Sequence, residues 1–266
     1  MLHGAAKCCP LISPDYSQRL PVNITELTGY VSFVSRSSSS KDIGIAVAKD
    51  DAWVDTASLD LPFALTASDV GTLNEAKLAA VARALETAPA APINLDTVAL
   101  LPPITPDARI FCIGLNYADH ADERKMQKPE YPVIFLRSYE SFVGHARPLI
   151  KPHASDAFDY EGEMVAVLSR GGRYLSADDT QAYVAAYSVA NEGSIRDYQL
   201  RRGPQWPMGK NSDSSVSIGP CLVTADELPP LAKGLGITTR LNGETVQQSN
   251  MSSMIFDVAE IVAYVS

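Results

Sequence analysis

Short apolar runs bounded by turn residues follow one another beyond residue 105, and they constrain the fold more than any other feature. They read RIFCIGL, PVIFLR, EMVAVLS, YVAAYSVA, SIGPCLVT, ITTRL and ETVQQ. Such runs are typical of β-strands. The last two flank Asn242-Gly243, which predicts a hairpin because a type I′ turn needs positive φ at both central residues. The sequence therefore predicts a mostly β domain, with a closing helix in SSMIFDVAEIVAYVS that is capped by Ser252 or Ser253.

A smaller unit precedes this domain. Residues 30–56 contain the short apolar runs YVSFVS, IGIAVAK and AWVD, which predict short strands. The segment NEAKLAAVARALETA predicts one helix. The junction LLPPITPDARI contains prolines that interrupt regular structure. We therefore place a boundary near residue 105, with an N-terminal unit over 1–105 and a main domain over 106–266.

Composition and charge exclude several classes of protein. The chain has 266 residues, of which 46% are hydrophobic and 20% charged, as in ordinary globular proteins. Its 31 acidic and 22 basic side chains give a formal net charge of −9, so we expect no nucleic-acid partner. No apolar run approaches the roughly 20 residues of a bilayer span, so we expect no membrane insertion. The four cysteines lack zinc or disulfide spacing and the first residues lack a secretory core, which predicts a cytoplasmic protein.

Three glutamates form the most informative polar cluster. The stretch DYEGE runs into an apolar strand, and strand alternation puts Glu161 and Glu163 on one face. Two like charges that face an apolar layer are costly unless a proton or a cation lies between them. A third carboxylate, Glu192, comes where a later strand ends before Gly193. Mg²⁺ or Mn²⁺ would satisfy these oxygens, and the alternative is that the acidic residues are solvated at an edge strand.

Donor side chains follow the third glutamate. Arg196 and Gln199 lie three residues apart on a predicted first helical turn, so they share a face near the same strand end. The alternative for Arg196 is a surface ion pair. Lys210 lies in a loop that contains glycine, where a lysine usually faces solvent.

One histidine has a chemically suggestive neighbour. If residues from Tyr117 onward are helical, His120 and Glu123 face the same way, and the carboxylate would orient the imidazole and raise its basicity. That arrangement is typical of a general base. The alternative is a solvated helix on which both residues are merely polar.

Six motifs occur in a fixed order, namely GLNYADHAxE, PxIFLR, DYEGE, VANEGSIRDYQ, GK, and NGETVQ with SxMIF. Over about residues 98–266 they resemble the fumarylacetoacetate hydrolase family. The resemblance implies a mostly β (β/α mixed) fold, a β-roll of mixed sheets with a small variable N-terminal unit, usually assembled as a homodimer.

The resemblance also assigns roles to residues of this chain. It implies one Mg²⁺ or Mn²⁺ per subunit, held by Glu161, Glu163 and Glu192. His120 would activate water with Glu123 as its partner, and Lys210 would be the third catalytic residue. The implied substrate-binding residues are Arg196, Gln199, Tyr117 and Ser214.

Three departures separate the chain from the family pattern. Glu192 stands where the family has Asp, and Ser214 stands where it has Thr, which keeps the hydroxyl. Family members continue into a Pro-Gly-Asp turn and a Thr-Gly-Thr-Pro loop, whereas this sequence ends at Ser266. We therefore expect the main domain to lack its last strands.

The resemblance and the cluster together predict a metal-dependent hydrolase that cleaves a carbon–carbon bond in an acylpyruvate-like or 1,3-dicarbonyl keto acid. A small-molecule keto acid would be its partner. Two alternatives remain open. One is a β-keto acid decarboxylase or tautomerase of the oxaloacetate type, which would use the same ligands, and the other is a degenerate, non-catalytic family member.

Overall fold

The structure is a computed structural model that describes residues 32–39, 42–49, 52–65, 69, 75–88, 92–94, 97–118, 128–203 and 205–266. Its strands are β1 (Ser32–Ser39), β2 (Asp42–Lys49), β3 (Ala52–Asp55), β4 (Ala99–Leu101), β5 (Ile110–Gly114), β6 (Val133–Arg137), β7 (Phe142–Gly144), β8 (Phe158–Asp159), β9 (Gly162–Leu168), β10 (Val184–Glu192), β11 (Ser194–Ile195), β12 (Val216–Ile218), β13 (Leu222–Thr224), β14 (Gly236–Leu241) and β15 (Glu244–Asn250). Its helices are α1 (Glu75–Thr87), α2 (Ala177–Thr180), α3 (Arg196–Arg201), α4 (Pro207–Lys210) and α5 (Val258–Val265).

One large mixed sheet contains nine of the described strands, and the other six form the two-stranded sheets β5-β6, β8-β11 and β14-β15. Its order is β3-β2-β1-β13-β10-β12-β7, with β4 beside β1 and β9 beside β10. The β12–β7 pair is parallel, whereas β9 and β10 pair antiparallel. The predicted mostly β fold of mixed sheets is thus confirmed. Because β1 pairs with β13, strands from both sides of residue 105 share this sheet, and the division into two units stays a prediction.

The predicted hairpin is present as β14 and β15. Asn242 and Gly243 form its turn with φ of 52° and 86°, the positive values that the two-residue turn requires. The run SIGPCLVT, in contrast, forms two strands rather than one. Gly219 has φ of 119° and Pro220 has no N–H to donate, so the run cannot continue as one hydrogen-bonded strand.

The closing helix α5 starts later than the sequence predicts. Asp257 accepts from the backbone N–H of Glu260, and the Glu260 carboxylate accepts from the N–H of Asp257. This capping box satisfies the first free N–H groups of the helix. The predicted caps are therefore wrong, since Ser252 and Ser253 lie in a preceding 3₁₀ turn.

The core surrounds β10 on both sides. On one side Ala186 packs with Val47, Val81 and Leu222, so α1 covers the sheet through its alanine-rich apolar face. On the other side Val184 and Tyr187 pack with a second set of buried side chains, Ala232, Ile237, Met251, Val258 and Val262. Full burial of each large apolar side chain contributes about 1.5–3 kcal/mol. Strand β10 is thus anchored on both faces, and its end is a firm support for a site.

Within the described ranges, none of the helices has the length and apolar character that crossing a bilayer requires.

Candidate metal centre

The antiparallel pairing of β9 with β10 brings the three predicted glutamates together. Glu163 pairs with Ala190, and the backbone N–H of Glu192 donates to the carbonyl of Glu161 at 2.7 Å. One carboxylate oxygen from each of Glu161, Glu163 and Glu192 lies within 4.8 Å of the others. The alternative of acids splayed into solvent does not hold, because Glu192 is buried and the other two are partly buried.

The environment separates the ionisation of two neighbouring glutamates. Burial acts to raise the pKa of Glu161, but the charges of Lys210 and Arg196 outweigh it and lower the pKa to about 2. Burial, followed by the charges of Glu161 and Glu192, raises the pKa of Glu163 to about 8. One carboxylate is thus held ionised by cations, while its neighbour keeps a proton in the absence of further positive charge.

Lys210 lies inside this cluster. Its side chain is only 2% exposed, and its Nζ donates to Glu161 Oε2 at 2.6 Å and to Glu192 Oε2 at 3.1 Å. The ammonium also lies 4.9 Å from the centre of the Phe135 ring. The sequence alternative of a solvent-facing loop lysine is excluded, because Lys210 ends helix α4 and points inward.

Arg196 begins α3 and joins the cluster from the other side. Its Nε donates to Asp159 Oδ2 at 2.8 Å, and its Nη1 donates to Glu161 Oε1 and to Gln199 Oε1, the latter at 3.0 Å. Gln199 is buried on the same face of α3. Arg196 therefore forms ion pairs, as the alternative proposed, but these pairs are part of the carboxylate cluster rather than of the open surface.

Arg137 is a site residue that sequence reasoning missed. It is 4% exposed, and its Nε donates to Glu192 Oε1 at 2.8 Å while Nη2 donates to the carbonyl of Gly193 at 2.7 Å. A third donation, from Nη1, reaches Ser215 Oγ at 3.3 Å. The available signal was the run VIFLR, in which Arg137 shares the inward face of β6 with buried Phe135.

The hydrogen bonds of the two other predicted substrate-binding residues, Tyr117 and Ser214, go to groups outside the three-glutamate cluster. The Tyr117 hydroxyl donates to Met251 Sδ at 3.4 Å, and burial, followed by the charge of Glu163, raises the pKa of Tyr117 above its ordinary value. Ser214 has φ of 54°, and its backbone N–H donates to the carbonyl of Glu140 at 3.1 Å. Contact of Tyr117 and Ser214 with substrate stays a prediction. His120 and Glu123 lie outside the described residues, so the proposed base and its partner also stay predictions.

The assembled residues fit a divalent cation. A span of 4.8 Å between carboxylate oxygens suits one ion with oxygen ligands at about 2.0–2.6 Å. All three donors are hard oxygens of the kind that Mg²⁺ and Mn²⁺ prefer. A cation would also stabilise the ionised form of Glu163, whose charge is otherwise disfavoured beside two carboxylates.

A family model, curated relatives and a solved structure all match this chain. Residues 109–266 match the family model described as fumarylacetoacetate (FAA) hydrolase C-terminal. The chain is 40% identical over 174 residues to the oxaloacetate tautomerase Fahd2a, mitochondrial, of Rattus norvegicus. These aligned residues make up 65% of this chain and 55% of the rat protein. It is 33% identical over 252 residues to the oxaloacetate tautomerase FAHD2A, mitochondrial, of Bos taurus. These aligned residues make up 94% of this chain and 79% of the bovine protein. The solved fumarylacetoacetate hydrolase (EaFAH) from psychrophilic Exiguobacterium antarcticum is similar with a TM-score of 0.72 and 29% identity, over 89% of this chain and 81% of that one.

These matches correct one prediction and confirm another. The predicted cytoplasmic location is wrong, because the rat and bovine relatives are both named as mitochondrial proteins. The resemblance read from the six motifs is confirmed, since the family match spans the main domain and the bovine match spans nearly the whole chain. The chain belongs to the fumarylacetoacetate hydrolase family.

Proposed function

We propose that this protein is a divalent-cation-dependent tautomerase of an oxaloacetate-type keto acid. The observation that carries the proposal is the cluster of three glutamates whose oxygens lie within 4.8 Å, flanked by buried Lys210 and partly buried Arg196. The rat and bovine relatives, both named oxaloacetate tautomerases, favour this reaction over the carbon–carbon hydrolase predicted from sequence.

A keto acid matches the donors and acceptors of the cluster. Its adjacent carboxylate and keto oxygens are the hard, chelating groups that Mg²⁺ or Mn²⁺ binds well. A cation held by Glu161, Glu163 and Glu192 would supply Lewis-acid polarisation of the keto group and favour its enol form. Oxaloacetate carries a second carboxylate, and Arg196 is the residue that we assign to it. Among the described residues, the hydrogen bonds of Arg196 use Nε and Nη1, which leaves Nη2 for a ligand.

Tautomerisation moves one proton between the carbon that separates the two carbonyl groups and the keto oxygen. Enolisation takes the proton from carbon and adds one to oxygen, and decay of the enol is the same step in reverse. Lys210 uses two of its three N–H groups on Glu161 and Glu192, so the third can donate to that oxygen as negative charge develops. His120, oriented by Glu123, is the group that we assign to the proton on carbon.

We also propose that the protein acts as a homodimer.

A second candidate is hydrolysis of an acylpyruvate-like substrate, favoured by the similarity to a fumarylacetoacetate hydrolase. It would use the same cluster, with water as the nucleophile and an enolate as the leaving group. Decarboxylation of a β-keto acid shares that enolate as well. The products therefore separate the three reactions, since only tautomerisation leaves the carbon skeleton intact.

The experiment uses purified protein stripped with a chelator and reloaded with Mg²⁺ or Mn²⁺. Decay of the ultraviolet absorbance of enol-oxaloacetate should accelerate, with no carbon dioxide released and no acylpyruvate cleaved in parallel assays. Glu163→Gln should lose the acceleration, and Gln248→Ala, which changes an exposed side chain on β15, should keep it. Cleavage of the acylpyruvate without tautomerase activity would overturn the proposal in favour of the hydrolase.

A further inference from the structure

The β14–β15 hairpin lies against the start of β9, where Gly162 separates Glu161 from Glu163. Gln247 on β15 makes two hydrogen bonds to Gly162 through one side-chain amide. Its Oε1 accepts from the Gly162 N–H at 2.8 Å, and its Nε2 donates to the Gly162 carbonyl at 2.8 Å. A neighbouring contact supports this arrangement, since Thr239 Oγ1 donates to Gln247 Oε1 at 3.2 Å.

The two groups that Gln247 holds belong to the peptide units flanking Gly162. The Gly162 N–H lies in the peptide that joins it to Glu161, and the Gly162 carbonyl lies in the peptide that joins it to Glu163. Holding both planar peptide units restricts the directions in which the two carboxylate side chains leave the backbone. Other contacts hold Glu161 from the side of β10, because its N–H donates to Asn191 Oδ1 at 3.2 Å and its carbonyl accepts from Glu192.

The close approach of the hairpin requires glycine between the glutamates. A Cβ atom at Gly162 would lie 2.1 Å from Thr239 Oγ1 and 3.2 Å from Gln247 Oε1. The first distance is too short for the Thr239 hydroxyl to keep its place, so a side chain at residue 162 would displace that hydroxyl and crowd the Gln247 amide that makes the two hydrogen bonds. The glycine of the DYEGE motif and the glutamine of the NGETVQ motif therefore form one structural unit, although 85 residues separate them.

We propose that Gln247 is a positioning residue for the metal centre, which sets the relative directions of the Glu161 and Glu163 carboxylates through the backbone of Gly162. This inference rests on the proposed cation site. Partners that orient metal ligands from outside the coordination sphere are typically worth about 10- to 100-fold in metal affinity. Loss of Gln247 should therefore weaken cation binding without removing any ligand.

The test measures binding of Mn²⁺ by the electron paramagnetic resonance signal of the free and the bound ion. Gln247→Ala should raise the dissociation constant about 10-fold or more and broaden the bound-ion spectrum, because the ligand geometry becomes heterogeneous. Gln247→Met keeps the length of the side chain and should give the same result if alanine unfolds the hairpin. The matched control is Gln248→Ala, which removes the same type of side chain from the opposite face of β15.

Each outcome has a defined meaning. Weaker binding and an altered spectrum in a folded Gln247 variant, with wild-type behaviour in Gln248→Ala, would support the inference. Wild-type affinity and spectrum in either folded Gln247 variant would overturn it. Failure of the wild-type protein to bind Mn²⁺ would instead overturn the proposed cation site. Equal losses of Mn²⁺ affinity in the Gln247 and Gln248 variants would assign the effect to general weakening of the hairpin, and this outcome would also overturn the inference.

Discussion

Glu163→Gln should change how the stability of the metal-free protein depends on pH. Burial, followed by the charges of Glu161 and Glu192, raises the pKa of Glu163 from 4.5 to about 8. In the unfolded chain this carboxyl ionises near its ordinary pKa of 4.5, so between pH 4.5 and about 8 the folded state binds more protons than the unfolded state. The free energy of unfolding of the wild type should therefore fall as pH rises through this window. Glutamine has a similar shape and does not titrate, so the variant should lose this contribution.

The interval between the two pKa values sets the size of the effect. A difference of about 3.5 corresponds to roughly 5 kcal/mol, at about 1.36 kcal/mol for each pH unit. This value is an upper bound, because water reaches the partly buried carboxyl and reduces the cost of its charge. Glu161 contributes in a different window. Its pKa of about 2 means that its stabilising contribution is complete above pH 4.5 and is lost as pH falls toward 2.

The assay is urea denaturation in the presence of a chelator, at several pH values from about 5 to about 8. The stability of Glu163→Gln relative to wild type should rise with pH by a few kcal/mol, roughly 2–5, across that range. Gln248→Ala serves as the control and should follow the wild-type profile. Profiles of wild type and Glu163→Gln that run parallel over the whole range would refute the reasoning.

Three further changes have defined outcomes. Arg137→Ala leaves Glu192 with Lys210 as its remaining buried cation and leaves Glu192 Oε1 without its donor, so the free energy of unfolding, measured by urea denaturation, should fall by about 1–3 kcal/mol. Lys210→Met removes the donor that we assign to the keto oxygen. The kcat for enol-oxaloacetate should therefore fall about 100-fold or more while Mn²⁺ still binds, and an unchanged kcat would contradict that role. Gly162→Ala brings a methyl group to 2.1 Å from Thr239 Oγ1 and should destabilise the fold by about 1–3 kcal/mol in thermal unfolding.

The sequence predicted those parts of the site that depend on local periodicity. Strand alternation predicted a common face for Glu161 and Glu163, and the structure brings both to Glu192. The Asn242-Gly243 turn was predicted because its φ requirements are local. These features depend on a few consecutive residues, so they can be read from the sequence without knowledge of the tertiary structure.

Features that depend on distant contacts could not be predicted in this way. Arg137 was missed because its partner Glu192 is 55 residues away, and nothing in the run VIFLR indicates which charge it meets. Lys210 follows Gly209 in what reads as a solvent-facing loop, yet burial against Glu161 and Phe135 makes it part of the site. The cap of α5 was misassigned for a local reason, since Asp257 with Glu260 forms a complete capping box that outweighs the two earlier serines.

The charges of the cluster explain how an acidic protein would attract the dianionic keto acid that we propose as its substrate. The carboxylates of Asp159, Glu161 and Glu192 are matched by the cations Arg137, Arg196 and Lys210, so the cluster is formally neutral while Glu163 keeps its proton. Binding of a divalent cation adds two positive charges, and the ionisation of Glu163 that accompanies it adds one negative charge. The loaded cluster then carries a net positive charge, although the whole chain carries −9. In a partly buried site this local field acts on the substrate more strongly than distant, solvent-screened surface charges. The raised pKa of Glu163 thus links cation binding to substrate attraction, because the carboxyl that gives up its proton is the one that the cation needs as a ligand.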